Sequence, residues 1–84
     1  MCELFGISSD QPMVANQELN AFRLRGSQAS DNPDGWGIAW QVNGAFRLVK
    51  EPAPAHQSTL FEQLCDTTIS SLVIAHIRKA SFPP

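Results

Sequence analysis

Cys2 stands directly after the initiator Met1, so removal of Met1 would expose a thiol and an α-amino group on one residue. Met1 is readily removed when the second side chain is as small as that of Cys2. An α-amino group titrates near ~7.7–8.0, so part of it is unprotonated at neutral pH and can accept the thiol proton. Cys2 is therefore a candidate nucleophile with its own general base. Judged by its position in the sequence alone, Cys2 would instead be interpreted as a cysteine that only packs in the core.

Two charged segments accompany Cys2 further along the chain. Arg25, followed by Gly26, ends a predicted helix and by itself is best interpreted as a solvated surface charge. His76 and Arg78 lie two residues apart on an apolar strand and therefore share a face. A guanidinium on a buried strand needs an acidic partner or a ligand. His76 is interpreted as a hydrogen-bonded structural imidazole, because the α-amine already supplies a base.

A proline- and glycine-rich corner at residues 32–37, NPDGWG, enters a predicted hairpin and as pure structure is a turn. A calcium loop is excluded because its twelfth position, counted from Ser30, is Gln41 rather than Glu. No two of the possible zinc ligands have the spacing of a structural zinc site; these are Cys2, His56, Cys65 and His76. We expect neither a metal nor a cofactor.

The composition is that of an ordinary globular domain, with 84 residues, 43% of them hydrophobic, 17% charged, and a formal net charge of −2. This charge does not predict nucleic-acid binding. No apolar run approaches the ~20 residues of a membrane span, and the first 25 residues lack the pattern of a signal peptide. We expect a cytoplasmic protein without a membrane partner, whose two cysteines are reduced.

The size of the chain predicts an incomplete core, because 84 residues would bury only about 60–65% of their unfolded surface. Residues 69–78, an apolar strand, come close to the last residue of the sequence. We therefore expect residues 1–84 to be a piece of a longer domain, or a subunit whose core a partner chain or a second copy completes.

The first half of the chain predicts a strand, a helix and a hairpin. Residues 2–8 are short and apolar and precede a polar turn at residues 9–12, so they predict a strand. Apolar spacing predicts a helix over residues 13–24, which Gly26 would end in a left-handed conformation. Residues 35–51 predict a hairpin around Asn43-Gly44, the preferred pair for a type I′ turn.

Within this hairpin, alternation places an apolar stripe on one face, made of Trp36, Ile38, Trp40 and Val42. Gly37 and Ala39 lie opposite and are small enough to let another group pack closely. Pro52 and Pro54 then end the pairing.

The second half predicts a helix and a strand. Thr59 and Glu62 have capping-box spacing and predict the start of a helix that runs through Cys65. Residues 72–77 are apolar on both faces and predict a strand in a sheet covered on each side.

Three stretches taken in this order resemble the class II glutamine amidotransferases, a family of N-terminal-nucleophile hydrolases, and most closely a small bacterial YafJ-like branch. They are MCELFG at residues 1–6, Arg25-Gly26 followed by DGWGI at 34–38, and AHIRKAS at 75–81. The resemblance implies an α+β fold, the N-terminal portion of a four-layer αββα sandwich, without a cofactor. The implied partner is a small molecule, glutamine or another γ-glutamyl amide.

The resemblance also implies a role for individual residues. Cys2 attacks the side-chain amide carbon of glutamine, ammonia leaves, and water hydrolyses the γ-glutamyl thioester. Arg25 and Gly26 match a pair that lies beside the nucleophile and helps form the catalytic site. Arg78 matches the arginine that binds the substrate α-carboxylate, and Ser81 matches a hydroxyl that contacts the same end of the substrate.

Four further residues are expected to shape the loop and the surroundings of the site rather than to react; they are Asp34, Gly35, Trp36 and His76. In the family, a later Asn-Gly segment completes the oxyanion hole and a later acidic residue holds the substrate amine. Both lie beyond the segment matched by the last strand, and Asn43-Gly44 is no substitute because it is a hairpin turn.

Loss of one oxyanion donor costs ~2.7–4 kcal/mol of transition-state stabilisation. We therefore expect the 84 residues alone to have little or no glutaminase activity. Two alternatives stay open. One is a non-catalytic module that binds a partner or a γ-glutamyl ligand, and the other is a hydrolase of a different γ-glutamyl amide.

Overall fold

A computed structural model of the chain describes residues 2–24 and 35–78. The sequence predicted the observed order of strand, helix, hairpin, helix and strand. The elements are β1 (Cys2–Val14), α1 (Asn16–Arg23), β2 (Gly35–Val42), β3 (Ala45–Glu51), α2 (Thr59–Thr67) and β4 (Ile69–Arg78). A single 3-10 turn, Ala55–Gln57, precedes α2. The four strands form one antiparallel sheet in the order β1-β4-β2-β3, so the described residues have an α+β architecture.

The predicted hairpin is confirmed. Asn43 and Gly44 both have positive φ, 51° and 80°, as a type I′ turn requires. The two-residue turn pairs Val42 with Ala45, and the register continues to the pair formed by Trp36 and Glu51.

β4 is a central strand, hydrogen-bonded to β1 on one side and to β2 on the other. It runs from Ile69 to Arg78, as predicted for the apolar strand at residues 69–78, and includes the stretch 72–77 that is apolar on both faces. Its alternate residues Val73, Ala75 and Ile77 are buried on the face that carries the two helices. The sequence predicted coverage of both faces, but within the described residues the helices cover only this one.

The opposite face, which we term the open face, exposes several large apolar side chains. These are Leu4 (77% exposed), Phe46 (59%), Leu48 (58%) and Ile74 (39%). In the strand register, each of these residues either pairs with another residue of the open face or lies an even number of positions from such a residue on its own strand. The open face therefore continues across all four strands.

Both helices pack on the covered face. Leu19 from α1 and Phe61 and Cys65 from α2 are fully buried. The Phe61 ring lies 4.8 Å, centre to centre, from the indole of Trp36 on β2, in a tilted arrangement. Neither α1 nor α2, the helices of the described segments, has the length and apolar character needed to cross a membrane.

β1 is longer than predicted. The polar residues 9–12 do not end the strand, which continues to Val14. Pairing with β4 lapses between Ser8 and Met13 and then resumes. Within the lapse the Ser9 hydroxyl donates a hydrogen bond to the carbonyl oxygen of Gln11 (2.7 Å). The predicted turn is thus a local irregularity of a longer strand.

This extension also explains why α1 begins later than predicted. Met13 and Val14 pair with Ser70 and Ile69 of β4, so they belong to the sheet. The helix therefore begins at Asn16 rather than at residue 13. The predicted left-handed end at Gly26 lies outside the described residues.

The N-cap of α2 is Ser58 rather than the predicted Thr59. The Ser58 hydroxyl oxygen accepts a hydrogen bond from the backbone N–H of Phe61 (3.0 Å). The same hydroxyl donates to Oε1 of Glu51 (2.5 Å), which also accepts the indole N–H of Trp36 (3.0 Å). One serine thus caps a helix and joins it to the ends of β2 and β3.

Replacing Ser58 with alanine should destabilise the protein more than the same change at its neighbour. Ser58→Ala removes the cap and one of the two donors to Glu51, so we expect the free energy of unfolding to fall by about 1–2 kcal/mol. Thr59→Ala, the matched control, should change it by less than about 0.5 kcal/mol. Urea unfolding, followed by tryptophan fluorescence on the protein expressed from its complete gene, measures both. Equal losses would contradict the assignment of the cap.

Candidate functional site

A row of three residues crosses three strands at one end of the sheet. The backbone of Cys2, at the start of β1, pairs with Arg78, at the end of β4, and Arg78 pairs on its other side with Gly35 of β2. Directly opposed residues in an antiparallel sheet have their Cα atoms about 4.5–5.5 Å apart. The fold therefore brings together residues 2 and 78, which are the two ends of the described chain.

The next row begins with Leu4 on β1, which pairs with His76 of β4. His76 pairs with Gly37 of β2, and Gly37 pairs with Lys50 of β3. The two rows together place three basic side chains, those of His76, Arg78 and Lys50, at the same end of the sheet.

A cavity of about 340 Å³ opens at this end. Its volume is in the range of small-molecule sites, roughly 300–1,000 Å³. The residues that line it come from β2, from β4, and from β3 with the turn that follows; they are Trp36, Lys50, Glu51, Pro52, His76 and Arg78.

The glycines of β2 leave room for the side chains of β4. A Cβ atom built on Gly37 would lie 2.5 Å from Nε2 of His76 and 3.2 Å from Cγ of Lys50. A Cβ atom on Gly35 would lie 3.1 Å from Nε of Arg78. The sequence predicted close packing against Gly37, and the imidazole of His76 is the group that packs there.

The cavity combines two permanent cations with one neutral imidazole. Partial burial lowers the pKa of His76 below its usual value, and the positive charges of Lys50 and Arg78 lower it further. His76 is therefore uncharged at neutral pH and can both donate and accept hydrogen bonds. The ammonium of Lys50 and the guanidinium of Arg78 suit an anionic group such as a carboxylate.

The acidic side chain in the cavity wall is held from the core side. Oε1 of Glu51 accepts hydrogen bonds from Trp36 and Ser58, so this carboxylate is anchored to the covered face. The side chain of Glu51 therefore forms a fixed part of the cavity wall beside Lys50 and Arg78. The described residues contain no group of three or more His, Cys, Asp or Glu side chains arranged to hold a metal ion.

Five of the residues singled out from the sequence fall in the described part of the chain. Cys2 begins β1, Gly35 and Trp36 begin β2, and His76 and Arg78 end β4. Gly35 and Trp36 pair with Arg78 and Ile77, which confirms the strand predicted for the hairpin at residues 35–51. The family resemblance had grouped them with the loop that enters this hairpin. The others lie outside the described residues, and their roles stay predictions; they are Arg25, Gly26, Asp34 and Ser81.

Three residues of the cavity were not predicted from the sequence as part of a site: Lys50, Glu51 and Pro52, which directly follows them. The signal for them was present, because the Asn43-Gly44 turn sets the hairpin register by counting outward from the turn. That register pairs Gly37 with Lys50 and Trp36 with Glu51. Once Trp36 and Gly37 are recognised as part of the site, the residues opposite them follow.

Residues 1–82 match the family model described as glutamine amidotransferases, class II. The chain is 43% identical to "Uncharacterized protein MJ1515" of Methanocaldococcus jannaschii, 34% to "Putative glutamine amidotransferase YafJ" of Escherichia coli and 33% to "Putative glutamine amidotransferase" of Haemophilus influenzae. Each alignment covers 96% of this chain but only 22%, 32% and 28% of the respective relative. The chain thus spans less than a third of the length of each of these curated relatives.

The charge of Lys50 should be measurable at His76. In Lys50→Met, removal of one positive charge should raise the pKa of His76 toward its usual value, because the imidazolium is less strongly repelled. Titration of the imidazole by NMR gives this pKa directly. Arg47→Met is the matched control, since Arg47 lies on the same strand but pairs with Trp40 rather than with Gly37. An unmodified protein in which His76 titrates at or above ~6.5 would contradict the electrostatics described above.

Proposed function

The chain belongs to the class II glutamine amidotransferases, and we propose that it supplies the nucleophile and the carboxylate-binding arginine of a site that hydrolyses the side-chain amide of glutamine. The observation that carries this proposal is the register that sets Cys2 opposite Arg78. Residues separated by almost the whole described sequence become neighbours in the sheet, and one of them, Arg78, lines the cavity. The relatives named as glutamine amidotransferases support the same reaction class.

Arg78 is the proposed anchor of the substrate. Its guanidinium can bind a carboxylate through two parallel hydrogen bonds, which fixes the orientation of the ligand as well as its position. Lys50 adds a second positive charge on the same side of the cavity, and the neutral His76 adds no repulsion toward the substrate α-ammonium group. The α-carboxylate of glutamine would thus be held over β4 and β2, with its side chain extended toward β1.

In the proposed first step, removal of Met1 leaves Cys2 with a free α-amine. The amine accepts the thiol proton, and the sulfur attacks the amide carbon of glutamine. When the carbon–nitrogen bond of the tetrahedral intermediate breaks, the protonated amine returns its proton to the leaving nitrogen. The products are ammonia and a γ-glutamyl thioester on Cys2.

In the second step, the same amine accepts a proton from water, whose oxygen attacks the thioester carbon. The carbon–sulfur bond breaks, the thiol is reprotonated, and glutamate leaves. Arg25 and Gly26 are proposed to lie beside the reacting sulfur, and Ser81 to contact the bound amino acid. An oxyanion hole completed by sequence beyond residue 84 supplies stabilisation of the kind worth ~2.7–4 kcal/mol per donor.

We also propose that the complete domain is a four-layer αββα sandwich in which a second sheet covers the open face. The exposed side chains of Leu4, Phe46 and Leu48 support this, because such large apolar side chains gain from burial. The relatives have the length for such a sheet, since this chain spans 22–32% of each. In this arrangement the described helices form one outer layer.

A glutamine analogue that carries an electrophile in place of its amide should label Cys2. In the protein expressed from its complete gene, we expect loss of Met1 and one label per chain by intact mass, with the label located on Cys2 by peptide mapping. Cys65 is the internal control. It is fully buried, and burial raises the pKa of its thiol to about 11, so it should stay unlabelled and Cys65→Ala should label normally.

Cys2→Ser should lose the label and lower glutamine hydrolysis by at least about a thousandfold. A protein that keeps Met1 and takes up no label would contradict the proposed chemistry and would favour a module that binds a γ-glutamyl ligand without turnover. Labelling without glutamine hydrolysis would favour a hydrolase of another γ-glutamyl amide, which a panel of such amides would identify.

Arg78→Lys should weaken substrate binding while leaving the nucleophile intact. Loss of the bidentate contact removes charge-assisted hydrogen bonds worth about 1.5–3 kcal/mol, so we expect KM for glutamine to rise about ten- to hundredfold. Steady-state kinetics of ammonia release measure this, and alkylation of Cys2 by iodoacetamide is the control that should not change. A KM equal to that of the unmodified protein would exclude Arg78 as the carboxylate anchor.

A further inference from the structure

We infer that Gly35 and Gly37 set the length of amide that the site accepts, because their missing side chains let Arg78 and His76 lie over β2 and away from Cys2. This inference rests on the proposed function and specifies its substrate: glutamine rather than the shorter asparagine. The two glycines would thus determine substrate specificity without touching a reacting atom.

The glycines are placed to act on these two side chains. A Cβ atom on Gly37 would come within 2.5 Å of Nε2 and 3.0 Å of Cδ2 of His76, closer than side-chain atoms approach a real Cβ. A Cβ atom on Gly35 would come within 3.1 Å of Nε and 3.5 Å of Cγ of Arg78. Both side chains therefore cross from their own strand onto the backbone of β2.

The direction of this lean is set by the strand order. β4 lies between β1 and β2, so a side chain that leans onto β2 leans away from the strand that carries Cys2. Neighbouring strands are about 4.8 Å apart, which puts groups above β2 about 10 Å from the axis of β1. Nε of Arg78 therefore lies on the β2 side of β4, away from the strand that carries Cys2.

The separation of about 10 Å between groups above β2 and the axis of β1 is close to the span that glutamine needs. Its α-carboxyl carbon and amide carbon are joined by four carbon–carbon bonds of about 1.5 Å, which span about 5 Å when extended. A hydrogen bond of about 3 Å at one end and an attack distance of about 3–3.5 Å at the other bring the span to about 11 Å. Asparagine is one bond shorter and would leave either the guanidinium or the sulfur out of reach.

An alanine at either glycine would shorten this span. In Gly37→Ala the imidazole of His76 must move off the backbone of β2, which brings it toward β1. In Gly35→Ala the Arg78 side chain must shift in the same direction by a smaller amount, since its nearest contact is 3.1 Å rather than 2.5 Å. Both substitutions should lower kcat/KM for glutamine more than kcat/KM for asparagine.

The test is a double-mutant cycle on the protein expressed from its complete gene. We expect Gly37→Ala to lower kcat/KM for glutamine by about ten- to hundredfold, since an error of about 1 Å in position has an effect of this size. Gly35→Ala should lower it less, and both should reduce the preference for glutamine over asparagine. If the collision with His76 causes the loss, Gly37→Ala should lower kcat/KM for glutamine much less in a His76→Ala background.

Gly6→Ala is the matched control. Gly6 lies in the same sheet, and a Cβ atom there would come no closer than 4.0 Å, to the carbonyl oxygen of Val73. Because this Cβ meets neither His76 nor Arg78, Gly6→Ala should leave the preference for glutamine over asparagine unchanged, and iodoacetamide should alkylate Cys2 equally fast in all variants.

The possible failures are distinguishable. Suppose that the unmodified protein hydrolyses glutamine. If Gly37→Ala then lowers kcat/KM equally in both His76 backgrounds, or keeps the full preference for glutamine, the inference is overturned and the proposed function is left intact. An unmodified protein that neither hydrolyses glutamine nor takes up the electrophilic analogue would overturn the proposed function, and the inference with it.

Discussion

The register of β4 is the constraint on which the rest of the structure depends. Arg78 is paired on both sides, with Cys2 and with Gly35, so the position of one strand aligns the start of β1 with the start of β2 beside the cavity. A slip of one residue would turn Arg78 toward the helices and bring Ile77 to the cavity. Burial of alternate apolar side chains opposes such a slip, because each would leave the core at a cost of about 1.5–3 kcal/mol.

The start of β2 serves the core and the cavity at once. Trp36 is buried against Phe61, while the glycines on either side of it receive side chains from β4 on the opposite face. Glu51 joins these functions, since its carboxylate accepts the indole N–H and the hydroxyl that caps α2. The wall of the cavity is therefore anchored to the buried core through Trp36 and Ser58.

Local signals were enough to predict the hairpin, because Asn43-Gly44 determines both its turn and its register. The choice between Ser58 and Thr59 as the cap was not local: either hydroxyl could cap a helix, and the distant carboxylate of Glu51 favours the first. Likewise, nothing within residues 9–12 shows that β4 is long enough for pairing to resume at Met13. The proximity of positions 2 and 78 was expected only through family resemblance, since sequence spacing carries no information about pairing between such distant strands.

The strand order has a consequence during synthesis. β1 is made first, yet its hydrogen-bonding neighbour is β4, the last of the described strands to leave the ribosome. At about 5–20 residues per second, several seconds pass before that neighbour emerges. Until then the nascent amino terminus has no sheet to join and stays open to the aminopeptidase that trims initiator methionine. The topology thus leaves time for the proposed removal of Met1 before β1 is paired.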